Sequence, residues 1–185
     1  MKLFISFFFF FVLTSCRLEE NQAIDTNAIN ILSDTMNYSV LSYDTSDIWL
    51  SAWIFPKSKP ADLDSNDIND LQSIISQCVD HYNKTESLNE FKKFKKNNPK
   101  TEVNLSSFTI DITKYKRQFI AIINDKKEKE VWVNCFSEYF GDTKLNINGW
   151  KNGIYRACDG GKNFFNFKIN LTNKTYTDLK INSSG

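Results

Sequence analysis

A single histidine, His81, stands in the whole 185-residue chain, and the motifs that usually announce chemistry are missing with it. There is no GxSxG, no HExxH and no CxxC, and no cysteine sits at zinc-ligand spacing from the histidine. No residue set implies a metal or a cofactor. Charge of one sign is also missing: 23 Lys+Arg oppose 22 Asp+Glu, and loss of the first fifteen residues would remove only Lys2 from that balance. Such a chain has no overall field with which to grip nucleic acid. The one basic cluster, Lys92-Lys93-Phe94-Lys95-Lys96, reads as a solvated helix end, where lysines also oppose the helix dipole. No internal repeat suggests a solenoid. Finally, the longest apolar run, Leu3 to Leu13, covers at about 1.5 Å per residue only about half of a hydrocarbon core of roughly 30 Å, so no permanent transmembrane anchor is expected from it.

That run is the first thing the chain does have. Met1-Lys2, then Leu3 to Val12 with phenylalanine at every position from Phe7 to Phe11, then Leu13-Thr14-Ser15-Cys16, has the plan of an export signal. Leu13-Thr14-Ser15-Cys16 resembles the bacterial lipobox, and that resemblance implies cleavage before Cys16 and attachment of acyl chains, palmitate among them, to its thiol and amine. Two or three chains would hold the protein firmly, at about 0.8 kcal/mol per buried methylene. The expected organisation is residues 1–15 as a lipoprotein signal peptide, 16–37 as a flexible tether with a helical turn around Ala28 to Leu32, and 38–185 as one domain. Glu19-Glu20 resembles the acidic export signal of Bacteroidetes-type surface lipoproteins. Both a surface-facing and a periplasm-facing lipid anchor in the outer membrane remain open.

Within the domain, Tyr38 to Tyr43 and Ile48 to Phe55 are rich in β-branched and aromatic residues and are separated by Asp44-Thr45-Ser46-Asp47, which reads as strand, turn, strand. A strand at Ile48 to Phe55 would put Trp49, Ser51, Trp53 and Phe55 on one face, both faces being apolar and buried. The strongest pattern is a helix from Asp64 to Asn83. Asp64 suits its N-cap, Leu63 and Ile68 suit a hydrophobic staple, and Ile68, Leu71, Ile75, Cys78, Val79 and Tyr82 form one stripe at helical spacing. A short second helix is expected at Leu88 to Lys95. The pattern then turns to period two, with strands expected at Phe108 to Ile112, Arg117 to Asn124, Glu130 to Ser137, Asn163 to Leu171 and Thr175 to Ile181. Short links make these antiparallel neighbours. The fold class is therefore α+β, one long amphipathic helix packed on an antiparallel meander.

The long piece Glu138 to Lys162 holds Trp150, Tyr155 and Arg156, residue types that dominate interface energetics, and these are the candidate partner-binding residues. Its Asp159-Gly160-Gly161 reads as a turn, with too few donors or carboxylates for a phosphate or calcium loop. Cys135 and Cys158 would staple the ends of this piece if bridged, worth about 3 kcal/mol; buried free thiols are the competing reading. Cys78 and His81 could form a nucleophile and base, although Cys78 falls in the apolar stripe and His81 suits a helix C-terminus. Trp49, Trp53 and Trp132 could make a sugar-stacking platform, or simply core.

Tyr115-Lys116-Arg117-Gln118-Phe119-Ile120, Val131-Trp132-Val133-Asn134-Cys135-Phe136, and Asp159-Gly160-Gly161 through Phe164 to Leu171 resemble small envelope proteins of Bacteroidetes over roughly the last third of the chain. That family implies the fold and no catalytic residues. The helix-on-meander plan is also similar to the cystatin-type arrangement, which implies partner binding through loops and one sheet face. The expected function is a membrane-anchored, non-enzymatic domain binding a protein or glycan of the envelope, with no nucleic-acid partner. The alternatives are a carboxylate-based hydrolase of envelope glycans and a carbohydrate-binding module.

Overall fold

A computed structural model describes residues 37–140, 143–144, 149–177 and 179–183 of the chain. The expected signal, Cys16 and the tether up to residue 36 lie outside them. Helix α1 (Ser65–Lys84) starts where Asp64 can close a reciprocal cap: its Oδ1 accepts from Asp67 N at 2.8 Å, while Asp64 N donates to Asp67 Oδ2 at 3.1 Å. Leu63 and Ile68 both lean on the core, as a hydrophobic staple requires. Leu71, Ile74, Ile75, Cys78, Val79 and Tyr82 are buried along one side of α1, each aliphatic contributing about 1.5–3 kcal/mol. Helix α2 (Glu86–Asn97) follows almost directly, and its lysines occupy the outer, C-terminal end as the sequence pattern implies.

Among the described residues one sheet has seven strands: β1 (Tyr38–Leu41), β2 (Lys59–Pro60), β3 (Tyr115–Ile123), β4 (Lys129–Ser137), β7 (Phe164–Asn170), β8 (Thr175–Tyr176) and β9 (Lys180–Ile181). β5 (Tyr139–Phe140) and β6 (Thr143–Lys144) make a separate small hairpin. The central strands β3, β4 and β7 are antiparallel, with Phe119 opposite Val133 and Val133 opposite Phe167. Alternation sorts their side chains as expected. Phe119, Ala121, Val131, Val133, Cys135, Phe165, Phe167 and Ile169 meet α1 in the main core, and Ile120, Ile122, Trp132, Phe136 and Phe164 point the other way.

Four expectations are corrected. The sheet is mixed, because β1 runs parallel to β3, with Tyr38 opposite Arg117. Phe108 to Ile112 is no strand: Asn83 grips the peptide of Ile110 at both ends, Nδ2 donating to Ile110 O at 2.8 Å and Oδ1 accepting from Ile110 N at 2.7 Å, which takes the groups a sheet ladder would need. Ile48 to Phe55 is not a strand either. Trp49–Ile54 is a π-helical turn, closed by Phe55 N donating to Leu50 O at 2.7 Å and capped by Asp47 Oδ1, which accepts from Trp49 N at 3.0 Å. Thr175 to Ile181 divides into β8 and β9, both paired with β7.

Candidate binding surface

The second face of the sheet is where two irregular segments are held. Upon Ile120, Ile122 and Trp132 lies the stretch from Tyr43 to Phe55, with Leu50 and Phe55 buried beneath it and the Tyr43 hydroxyl donating to Phe55 O at 3.0 Å. Upon Phe136 and Phe164 lies the segment from Gly149 to Cys158, through Trp150, Tyr155 and Ala157.

A cross-strand amide pair fastens that second segment. Gln118 on β3 and Asn134 on β4 are register partners, and both are buried. Gln118 Nε2 donates to Trp150 O and to Gly153 O at 2.7 Å. Gln118 Oε1 accepts from Tyr155 N at 2.9 Å and from Asn134 Nδ2 at 3.0 Å, and Asn134 Nδ2 also reaches Tyr155 O at 2.8 Å. Four backbone groups of an irregular segment are thus satisfied by two side chains, where burial without partners would be costly. Neither amide stands out as a functional residue in the sequence. The available signal was a polar amide in the middle of two otherwise apolar strands.

The three candidate partner residues fare differently. Tyr155 is an anchor, its ring stacked 4.6 Å from Phe136 and 6.0 Å from Phe164. Trp150 meets Phe136 edge-on at 5.8 Å and carries two cations over its ring, Lys116 at 5.8 Å and Lys151 at 5.6 Å. Arg156 is exposed, lies 4.9 Å over Trp49 and pairs with Asp47, tying the two segments together. The outcome is a surface of Trp150, Lys151, Arg156 and Trp49 in which aromatic and cationic groups alternate on a fixed support.

The three tryptophans considered for a sugar platform are placed differently. Trp132 is buried at 3% exposure, Trp49 is half-buried under Arg156, and Trp53 points to solvent at 76%. Cys135 and Cys158 stand unbridged in the structure, Cys135 buried and Cys158 exposed. Cys135 faces α1, whereas the segment leading to Cys158 packs on the opposite face of β4, so the sheet stands between them. Burial pushes the Cys135 thiol pKa up, overriding the attraction of Arg117.

A separate cleft of about 360 Å³ opens at the end of α1, lined by Cys78, His81, Tyr82, Glu86, Tyr176 and Leu179. It does bring Cys78 and His81 to one wall, but Cys78 is 2% exposed within the main core. Tyr82 donates to Glu90 Oε2 at 3.2 Å, and burial followed by that carboxylate raises its pKa, so it serves as a fixed phenol. Glu86 is the one carboxylate among the described residues that line it. Among the described residues no cluster of three or more His, Cys, Asp or Glu could hold a metal, and no helix is long and apolar enough to cross a membrane. No protein-family model, curated protein or solved structure matches the chain.

Proposed function

We propose that this chain is a lipoprotein of the cell envelope, anchored in the outer membrane through acylated Cys16, whose domain binds a protein or glycan of the envelope through the segment Trp150 to Arg156. The observation that carries the binding reading is the Gln118–Asn134 pair. A buried amide pair whose hydrogen bonds go to an irregular segment fixes that segment in advance, and a contact surface that is already ordered loses less entropy when a partner arrives. Trp150, Lys151 and Arg156 are then the contact groups, and Tyr155 their anchor. The cystatin-type analogy supports the same use of loops at the level of α1 lying across β3, β4 and β7. It gives less support to use of an open sheet face, since that face is covered by the two segments.

The anchor and the binding surface are tested separately. Cells fed an alkyne analogue of palmitate should label the wild-type protein and leave Cys16→Ser unlabelled; equal labelling of both would remove the anchor from the reading. A photo-reactive amino acid placed at Lys151 or Arg156 in native membranes should give a discrete cross-linked species that the same group at Lys92 does not. Identical patterns from all three positions would mean that the segment has no dedicated partner.

A further inference from the structure

The π-helical turn Trp49–Ile54 is secured from within and apolar without. Its inner side is locked by Leu50, fully buried, by Phe55 at 2% exposure, and by the Asp47 cap. Its outer side carries the two most exposed large apolar side chains among the described residues, Ile48 at 75% and Trp53 at 76%, together with exposed Ala52. Bonds closing on the fifth residue bring Ile48 and Trp53 to one side of the turn, an arrangement an α-helical turn would stagger, and single π-turns are frequent at functional sites. Exposed Lys57 and Lys59 follow directly. Of the nearby acids, Asp47 is paired with Arg156 and Asp44 accepts from Ser46 N and Oγ, so neither carboxylate is aimed at the tip.

We infer that this turn is a bilayer-contacting tip: Ile48, Ala52 and Trp53 enter the boundary between headgroups and acyl chains while Lys57 and Lys59 meet lipid phosphates. The inference rests on the reading that Cys16 holds the domain at a membrane. Three features favour lipid as the occupant. The apolar patch amounts to roughly 300 Å², against the roughly 800 Å² per partner of a stable protein interface. Tryptophan beside lysine is the composition of a membrane interface, where an amphipathic ring and a cation both find partners. And the stretch of about 20 residues between Cys16 and Asn37 reaches at most roughly 70 Å when extended, ample to lay a turn that begins soon after Asn37 onto the bilayer holding the lipid.

The full chain, acylated and reconstituted into phosphatidylethanolamine/phosphatidylglycerol vesicles with brominated acyl chains, gives two readouts. Flotation with the vesicles reports the anchor, and quenching of tryptophan emission reports the tip. The expected result is quenching with a blue shift in the wild type, both lost in Trp53→Phe, which keeps a large apolar ring and should melt at an unchanged temperature; Ile48→Ser should weaken the quenching. Flotation without Trp53-dependent quenching would overturn the tip and leave the anchor standing. Failure of the wild type to float and to be quenched would overturn both. Lipid-independent shifts of Trp53 emission on adding envelope glycans or envelope protein would assign the turn to those partners and refute the lipid contact.

Discussion

Replacing Gln118 by leucine tests whether two buried amides hold the candidate surface in place. Leucine keeps most of the volume and removes four hydrogen bonds: two from Nε2 to the carbonyls of Trp150 and Gly153, and two to Oε1 from Tyr155 N and Asn134 Nδ2. A satisfied internal hydrogen bond contributes about 1 kcal/mol net. Gly153 is exposed, so its carbonyl can turn to water, and Asn134 Nδ2 retains Tyr155 O. The expected loss is therefore about 2–4 kcal/mol, less than the full penalty for four orphaned groups. The loss should be local first: amide exchange at Tyr155 accelerates while β3 and β4 stay protected, because the main core on the other face is untouched. Asn134→Leu alone should cost less, and the double variant should fall short of the sum of the singles by about 1 kcal/mol or more, since partners in one network couple. Urea denaturation gives the energies and hydrogen exchange the location. A Gln118→Leu cost below about 0.5 kcal/mol, with Tyr155 exchange unchanged, would show that ring packing alone holds the segment.

Asp64→Ala opens the cap of α1 and should destabilise the domain by about 1 kcal/mol in thermal melts, whereas Asp64→Asn, which can still accept from Asp67 N, should cost markedly less; equal losses would mean that the cap bond is not made. Asp44, Asp67, Asp111 and Glu128 are all held low, and acid titration of stability should expose Asp67 and Glu128 among them. Burial alone would raise Asp67, but the hydrogen bond from Lys129 at 2.6 Å and the Asp64 N–H outweigh it; Glu128 is lowered by the amides of Asn124, Asn173 and Asn170. Each folded value lies below the unfolded one, so each contribution is present above the ordinary carboxylate range and is lost as pH falls through the lowered value. Glu128→Gln and Asp67→Asn should flatten that acid limb, and an unchanged slope in both would contradict the assignment. With a maleimide of suitable mass and mass spectrometry, native protein should be modified at Cys158 and spared at Cys78 and Cys135 until urea is added; a protected Cys158 released by reductant would restore the bridge.

Much of the fold can be read from local pattern, and the places where pattern fails share a cause. The interior of α1 carries a stripe that only a 3.6-residue period explains and β7 alternates, so one signal dominates at each, while β3 and β4 are buried on both faces and read as strands from their β-branched and aromatic content. In Ile48 to Phe55 nearly every position is apolar, and a segment apolar at all positions has no period to read. The informative residue was Asp47, which can cap a helical turn as readily as it can shape a β-turn. Phe108 to Ile112 alternates acceptably, yet the side chain of Asn83, distant in sequence, takes both polar groups of the Ile110 peptide. That is a tertiary choice no local window contains.

The candidate surface was legible in its residue types and not in its roles, because roles depend on which face of the sheet a segment crosses. Trp150, Tyr155 and Arg156 look alike as interface residues, but Tyr155 is stacked between Phe136 and Phe164 while Arg156 reaches outward to Trp49 and Asp47. The same fact separates Cys135 from the segment that leads to Cys158: Cys135 and Phe136 are neighbours in sequence and point to opposite faces, and the segment follows Phe136. The register pairing of Gln118 with Asn134 fastens that course, since the two amides together meet the backbone of Trp150, Gly153 and Tyr155. A shift of β4 against β3 by one residue would turn Asn134 into the apolar core and Cys135 out, so the burial of Cys135 and the fastening of the candidate surface follow from one and the same register.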